Sequence, residues 1–224
     1  MLPWIFLAKA RVPGGNGELL LLRRGDEFSI RVDGYELMNT RVHGSEDALA
    51  ELACAQLKDS RHAHVLIGGL GMGFTLAAVL AAIGPAGKAT VAELVPEVVE
   101  WNRGPMGDAS GQPLGDRRTI VQTMDVADVI RQKRNAFDAI VLDVDNGPAS
   151  LVAKGNNRLY TAAGLHAAHG AIRADGVLAV WSSADNLSFT RRLKQTGFEP
   201  EIHKVGSSGR SRGPRYYVWT ARRV

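Results

Sequence analysis

The residues able to do chemistry cluster where apolar runs end. The run AIVLDVDNGPAS, residues 139–150, closes on Asp143 and Asp145, two carboxylates at the end of a stretch otherwise suited to a buried strand. A buried carboxylate is costly unless it is paired, so the two belong either in an open cleft with a task or in the turn that follows. In a cleft, two carboxylates can hold a cationic amine, or one can take its proton. As turn residues, Asp145 and Asn146 would build the reversal before Gly147-Pro148. A second stretch, VLIGGLGMGFT, runs from a strand pattern through Gly68, Gly69, Gly71 and Gly73 into a helical one. That arrangement lets backbone pass close to a ligand at a helix N-terminus. The spacing is G-x-G-x-G, with the last glycine one residue earlier than the dinucleotide fingerprint needs, so the loop suits a ligand without a pyrophosphate. A tight strand-to-helix turn with no ligand is the structural alternative.

Two further acids stand at the ends of the next two strand patterns. Glu93, in VAELVPEVVEW, lies about twenty residues beyond the glycines, where a carboxylate can accept both ribose hydroxyls. Asp125, in TMDVADVI, is placed to accept from an adenine amino group. Each has a bland reading as well: Glu93 as a cap for the helix opened by Pro96, Asp125 as the cap of VADVIRQK. Ligand-compatible groups at three successive carboxyl ends favour a nucleoside site of the S-adenosylmethionine (SAM) type, because open α/β sheets bind ligands at those ends.

The elements that must position these residues follow from periodicity. MLPWIFLAKA reads as a first strand, and residues 18–39 offer two or three short strands broken at Gly25-Asp26 and Asp33-Gly34, the latter a hairpin signal. From Ser45 the period becomes helical, with Leu49, Leu52, Ala53 and Leu57 on one face and Ser45, Glu46 and Asp47 supplying N-terminal signals. Strands HVLIGG, KATVAEL, RTIVQT, FDAIVLD and GVLAVWS then alternate with helices TLAAVLAAI, PEVVEWNR, VADVIRQK, AAGLHAAHGAIR and NLSFTRRLKQT. Continuous apolar strands between helices predict a parallel sheet covered on both faces. FEPEIHKV and RYYVWTA, joined only by a loop, predict a closing antiparallel hairpin. The expected fold is therefore α/β, a Rossmann-like class I methyltransferase fold with a mostly parallel seven-stranded sheet. Residues 1–44 form a short N-terminal β-hairpin segment and residues 45–224 the SAM- or decarboxylated-SAM-binding domain. The Gly/Pro-rich stretch from Gly104 to Gly115 reads as a flexible loop.

Bulk properties restrict the function classes. The chain has 224 residues, 45% of them hydrophobic and 22% charged, enough to bury one full core in the ordinary soluble range. No apolar run is long enough to span a bilayer, and the N-terminus lacks the basic region of a secretory signal. Cys54, the sole cysteine, excludes an internal disulfide and a cysteine-based zinc cage, fits a reducing cytoplasm, and reads as a small buried hydrophobe on a helix. His166 and His169 have a metal-compatible spacing but no nearby acid, so no metal is expected. From Ile202 to Val224 there are six Lys/Arg and no acid; without interleaved aromatics in GSSGRSRGP this reads as a solvated hairpin, and nucleic acid is not an expected partner.

Taken in order, these motifs resemble the spermidine synthase family of polyamine aminopropyltransferases. The matching stretches are Gly68 to Leu76, ELVPEVVE, Met124-Asp125, LDVDNGPA, Leu159-Tyr160-Thr161 and RADGVLAV, spanning about Val65 to Ser182. The resemblance implies decarboxylated SAM as donor, Glu93 on its ribose, Asp125 on its adenine, and Asp143 orienting or deprotonating an attacking amine, with Asp145 as a second acid. It also implies a homodimer. This chain departs from the family pattern in three places. The acid pair is spaced D-x-D and not D-x-x-D, the glycine loop lacks the acid that grips the donor's aminopropyl nitrogen, and the family's Tyr-His-Glu is replaced by VHGSEDA, leaving His43 and Glu46 as substitutes. Methyl transfer from SAM is the alternative on the same scaffold, with Arg158 and Lys154 as cations for the donor's carboxylate or for substrate. A degenerate homologue acting as a binding module is a third. Trp181 and Tyr160 stand beside the acceptor side, with core packing as their ordinary role.

Overall fold

The computed structural model describes residues 2–13, 17–144, 156–207 and 215–224. Asp145, Asn146 and Lys154, and with them the expected second acid and one of the expected cations, lie outside the described residues.

The N-terminal strands β1 (Ile5–Arg11), β2 (Glu18–Arg24), β3 (Glu27–Val32) and β4 (Tyr35–Asn39) make an antiparallel four-stranded meander. Asp33 and Gly34 both take positive φ, 50° and 82°, as the primed hairpin turn requires. Alternation along β2 and β3 sends Leu19, Leu21, Phe28 and Ile30 inward.

The chain then enters α1 (Gly44–Cys54), which buries Leu49, Ala50, Ala53 and Cys54. Ser45 does not cap it. His43 is the N-cap residue without a side-chain capping bond, and the Ser45 hydroxyl donates to Glu46 Oε2 at 2.6 Å. After α1 come β5 (His64–Gly68), α2 (Phe74–Ala82), β6 (Lys88–Ala92), α3 (Pro96–Arg103), β7 (Thr119–Gln122), α4 (Val126–Arg131), β8 (Phe137–Leu142), α5 (Ala162–Ala171), β9 (Ile172–Ser182), α6 (Leu187–Gln195), β10 (Phe198–Gly206) and β11 (Arg215–Arg223).

Seven strands order as β10-β11-β9-β8-β5-β6-β7, with β5 to β9 parallel and the last two antiparallel, the sheet expected from the sequence. The reason is visible residue by residue. Val65, Leu66 and Ile67 are all fully buried, yet alternate between two apolar clusters, one under α1–α3 and one under α4–α6. Val141 and Ala179 join the first cluster, Leu142 and Val180 the second. Continuous apolar runs are what a two-sided parallel sheet demands. Among the described residues no helix is long and apolar enough to cross a membrane.

Two expectations change. The helix expected to reach Arg173 ends at Ala171, and β9 starts at once, its Ile172 paired with Phe137 across a register shift at Asp138. Asp138 draws the chain in, accepting from the His64 backbone N–H at 2.7 Å and pairing with Arg173. The stretch from Gly104 to Gly115 is not a loose loop but two 3-10 turns, Pro105–Ser110 and Pro113–Gly115. Each is opened by a proline, and Met106 of the first is 1% exposed, so apolar burial fastens what composition alone reads as loose.

Candidate functional site

The glycine loop leaves β5 and turns into α2 on three left-handed residues, Gly69 (φ 87°), Gly71 (52°) and Gly73 (87°). At Gly69 a Cβ would stand 2.6 Å from the Asp143 carbonyl oxygen, so this glycine is needed on two counts, dihedral and clearance. Replacing Gly69 by Ala is expected to destabilise the fold by at least about 1–2 kcal/mol from the left-handed backbone alone. An equilibrium urea titration with unchanged slope checks this. Gly71 faces the N-terminal sheet, where its Cβ would meet Met38 Sδ at 3.2 Å. The meander thus overlies the loop.

Glu93 follows β6 and is only 8% exposed. Its Oε2 accepts from the Leu70 N–H at 2.8 Å and its Oε1 from the Val95 N–H at 2.9 Å. Burial pushes its proton affinity up, against the backbone N–H groups of Leu70, Val95, Leu94 and Gly71 that favour the carboxylate. Glu93 therefore reaches from the second strand end onto the glycine loop. It is not the cap residue of α3, which is Val95. Beneath the loop, Asn102 donates through Nδ2 to the carbonyls of Gly71 and Val98, both within 3 Å. Sequence reasoning passed over this residue, since an asparagine on an amphipathic helix carries no signal of its own.

Asp125 ends β7's connection and caps α4, its Oδ1 accepting from the Ala127 N–H at 2.8 Å. Its other oxygen pairs with Arg158. The capping role foreseen for Asp125 is thus present. Arg158, foreseen as a partner for a donor carboxylate or for substrate, is engaged with Asp125.

Asp143 stands at the end of β8, with its backbone N–H bonded to the Gly68 carbonyl at 3.1 Å. The Thr75 hydroxyl, in the first turn of α2, donates to its Oδ2 at 2.6 Å. Burial above all, and then the charge of Glu46, push its carboxyl up to about 7, with the Thr75 bond opposing. Glu46, on α1, is itself raised by burial, against the Ser45 hydroxyl bond. A charged Glu46 disfavours a second charge on Asp143. Beside them the His43 ring stacks on Phe74 with centroids 4.0 Å apart and planes 5° apart, while its Nδ1 meets Asp47 Oδ2 at 2.8 Å. Thr75 was missed as a site residue from sequence, although a hydroxyl one turn past a glycine loop is the signal that could have found it.

The β8–β9 register carries the site one strand further. Leu142 pairs with Val180 at the end of the ladder, and Trp181 follows on the face covered by α1 and α2. Trp181 packs on Tyr216, centroids 4.9 Å apart. Tyr160 is 3% exposed, edge-on to Phe189, and is core. Cys54 is buried, its thiol pushed up to about 11 by burial, and so is unreactive. His169 lies edge-on to Phe198 with its proton affinity lowered by burial. Among the described residues no three His, Cys, Asp or Glu side chains gather as metal ligands. A surface depression between Leu80, Ile83, Pro85 and Arg118 opens at the amino ends of β6 and β7, remote from these acids. Its Arg118 is already held by Asp116 and by the carbonyls of Ile83 and Gly84.

Acids and backbone donors therefore converge at the carboxyl ends of β5, β6, β7 and β8, where an α/β sheet receives its ligand. No protein-family model matches the chain, and no curated protein sequence does either. Solved structures do match its shape. The spermidine synthase from Thermotoga maritima superposes with a TM-score of 0.75 over 98% of this chain and 72% of its own, at 18% identity. A spermidine synthase structure in complex with the transition-state analogue AdoDATO matches with the same values. At that identity the likeness establishes the architecture: the chain has the spermidine synthase fold, a Rossmann-like α/β sheet with an N-terminal antiparallel sheet and a C-terminal antiparallel hairpin.

Proposed function

We propose that the chain is a transferase that moves an aminopropyl group from decarboxylated SAM to an amine acceptor. The observation that carries the reading is Asp143, a half-buried carboxyl at the end of β8 whose Oδ2 accepts from the Thr75 hydroxyl at 2.6 Å and whose proton affinity is pushed up by burial and by Glu46. The complex of a similarly folded spermidine synthase with the transition-state analogue AdoDATO supports it.

In this reading the glycine loop and Glu93 hold the ribose side of the donor, and Asp125 accepts from its adenine. The amine's lone pair attacks the carbon bound to the sulfonium. The C–S bond breaks, its electron pair stays on sulfur, and methylthioadenosine leaves as a neutral thioether. The new N–C bond leaves a positive charge on nitrogen, and Asp143 takes that proton. The sulfonium charge activates the leaving group, so the protein supplies orientation, desolvation and a proton acceptor. Thr75 fixes the Asp143 rotamer for that transfer. The proposal extends to residues 45–224 as the domain carrying the site, Asp145 as an additional acid, a homodimer, and polyamine synthesis in the cytoplasm.

Calorimetric titration with decarboxylated SAM, SAM and methylthioadenosine tests the donor. Decarboxylated SAM is expected to bind at least tenfold tighter than SAM, because a donor carboxylate near Glu46 and Asp143 meets like charge. A preference for SAM would replace the reading with methyl transfer. Absence of binding by all three would sink both and favour a binding module without catalysis.

A further inference from the structure

The glycine loop is rich in the residue that loses most freedom on ordering, so groups outside the loop have to hold it. Two side chains do, and both hang from the β6–α3 unit. Glu93 takes the loop's donors: the Leu70 N–H bonds to its Oε2 at 2.8 Å, and the Gly71 N–H faces the same carboxylate. Asn102, fully buried on α3, takes an acceptor of the loop. Its Nδ2 donates to the Gly71 carbonyl at 2.8 Å and to the Val98 carbonyl, one helical turn back, at 2.9 Å. Within the loop the Gly73 N–H closes on the Leu70 carbonyl at 2.8 Å. Val98 and Val99 belong to the core, so α3 is a fixed platform beneath this turn.

Two carbonyls facing one amide require its NH2, which fixes the orientation of the Asn102 side chain. That orientation leaves Oδ1 with no hydrogen-bond partner among the described residues. The oxygen is pressed against Gly73, where a Cβ would stand 3.0 Å from it and 2.8 Å from the Ser110 hydroxyl. A buried acceptor without a donor costs stability, and an apolar side chain of the same branching would avoid that cost. A residue that burdens the fold is expected where it serves a site. The Val98 carbonyl has the helical ladder of α3 to satisfy it, so the gain from Asn102 falls on the Gly71 carbonyl.

We propose, on the basis of the nucleoside site in the transferase reading above, that Asn102 is the positioning residue of the glycine loop, holding the Leu70–Gly73 turn in its ligand-binding shape before the donor arrives. The ordering of the loop is then completed on folding and not on binding, so nucleoside affinity depends on a side chain with no exposed surface of its own.

Two variants of the whole chain test this, with methylthioadenosine as the probe. Asn102→Leu keeps the branching and removes both the donor and the unpaired oxygen. Asn102→Ser keeps a hydroxyl that can bond back to the Val98 carbonyl but is too short to cross to Gly71. In calorimetric titration both are expected to bind methylthioadenosine about three- to tenfold more weakly than the parent, the worth of one hydrogen bond, with an unchanged number of sites per chain. Amide hydrogen exchange supplies a second measurement. Residues 69–73 are expected to be protected in the parent before ligand is added, and in Asn102→Ser only afterwards. Fewer sites at unchanged affinity would make Asn102 a strut of the fold. That result, affinity within about twofold of the parent, or free exchange of the loop in the ligand-free parent would each overturn the positioning role while the transferase reading stands. A parent that prefers SAM to decarboxylated SAM, with both weakened by Asn102→Ser, overturns aminopropyl transfer and leaves the role of Asn102 standing. A parent that binds no nucleoside overturns both.

Discussion

Replacing Asp143 by Asn is expected to slow group transfer by about a hundredfold to ten-thousandfold, the usual worth of a positioned general base. The same change is expected to make the ligand-free protein more stable at pH 8. The two effects have one cause. The carboxyl of Asp143 is pushed from its ordinary value of 3.8 up to about 7 by burial and by Glu46. The folded state thus binds a proton more tightly than the unfolded chain does. Stability is full below the unfolded value, falls as pH rises from about 4 to 7, and is reduced by at most about 4 kcal/mol once Asp143 is forced to ionise in place. Asn retains a carbonyl oxygen for the Thr75 hydroxyl and carries no charge to bury. Thermal melts from pH 4 to pH 8 should therefore show the variant level with the parent at pH 4 and several degrees above it at pH 8.

The pH dependence of the rate supplies a second check. With Asp143 as base, kcat should rise through about pH 7, and Glu46→Gln should shift that limb to lower pH by removing the neighbouring charge. A variant at Asp143 that loses activity and stability together at pH 8 would mark the residue as a strut for α2, and the catalytic assignment would fall.

The fold was legible because its strands are apolar throughout and its helices periodic. HVLIGG and FDAIVLD announce two-sided burial before any coordinate is known. The strand-end placement of Glu93 and Asp143 was legible because each carboxylate closes an apolar run, and Asp125 because it opens the next helical pattern. What could not be read is what long-range packing decides. Glu46 stood out only as a substitute within VHGSEDA, and its electrostatic coupling to Asp143 was not legible, while Ser45 was credited with an N-terminal signal because local statistics favour serine there. The burial that raises both carboxyls exists only once α1 lies across the sheet. The pairing of Leu142 with Val180, which sets where Trp181 stands, depends on the β8–β9 register and its shift between Phe137 and Ala139. In the stretch from Gly104 to Gly115, composition misled because Met106 is buried by tertiary contact, a force that propensity does not contain.

Glu93→Gln is the other substitution with a large expected effect, and it falls on nucleoside binding. Each carboxylate oxygen has two acceptor positions. In Glu93 one is used by the Leu70 N–H and another by the Val95 N–H, with the Leu94 and Gly71 N–H groups also facing the carboxylate, so ribose hydroxyls would share the positions that these longer contacts only partly occupy. Glutamine offers a single oxygen, and its amide NH2 would turn a donor toward one of those backbone N–H groups. Losing a charge-assisted bond to the ligand is worth about 1.5–3 kcal/mol, so methylthioadenosine affinity should fall by roughly ten- to a hundredfold. Stability should move far less. The unsatisfied N–H destabilises the variant, but the buried charge that raises Glu93's proton affinity is gone, and the two terms oppose. Calorimetric titration with methylthioadenosine beside a urea titration separates the alternatives. Affinity within about twofold of the parent, with a clear loss of stability, would make Glu93 a brace for the glycine loop. A large loss of affinity at nearly unchanged stability identifies it as a ligand to the ribose.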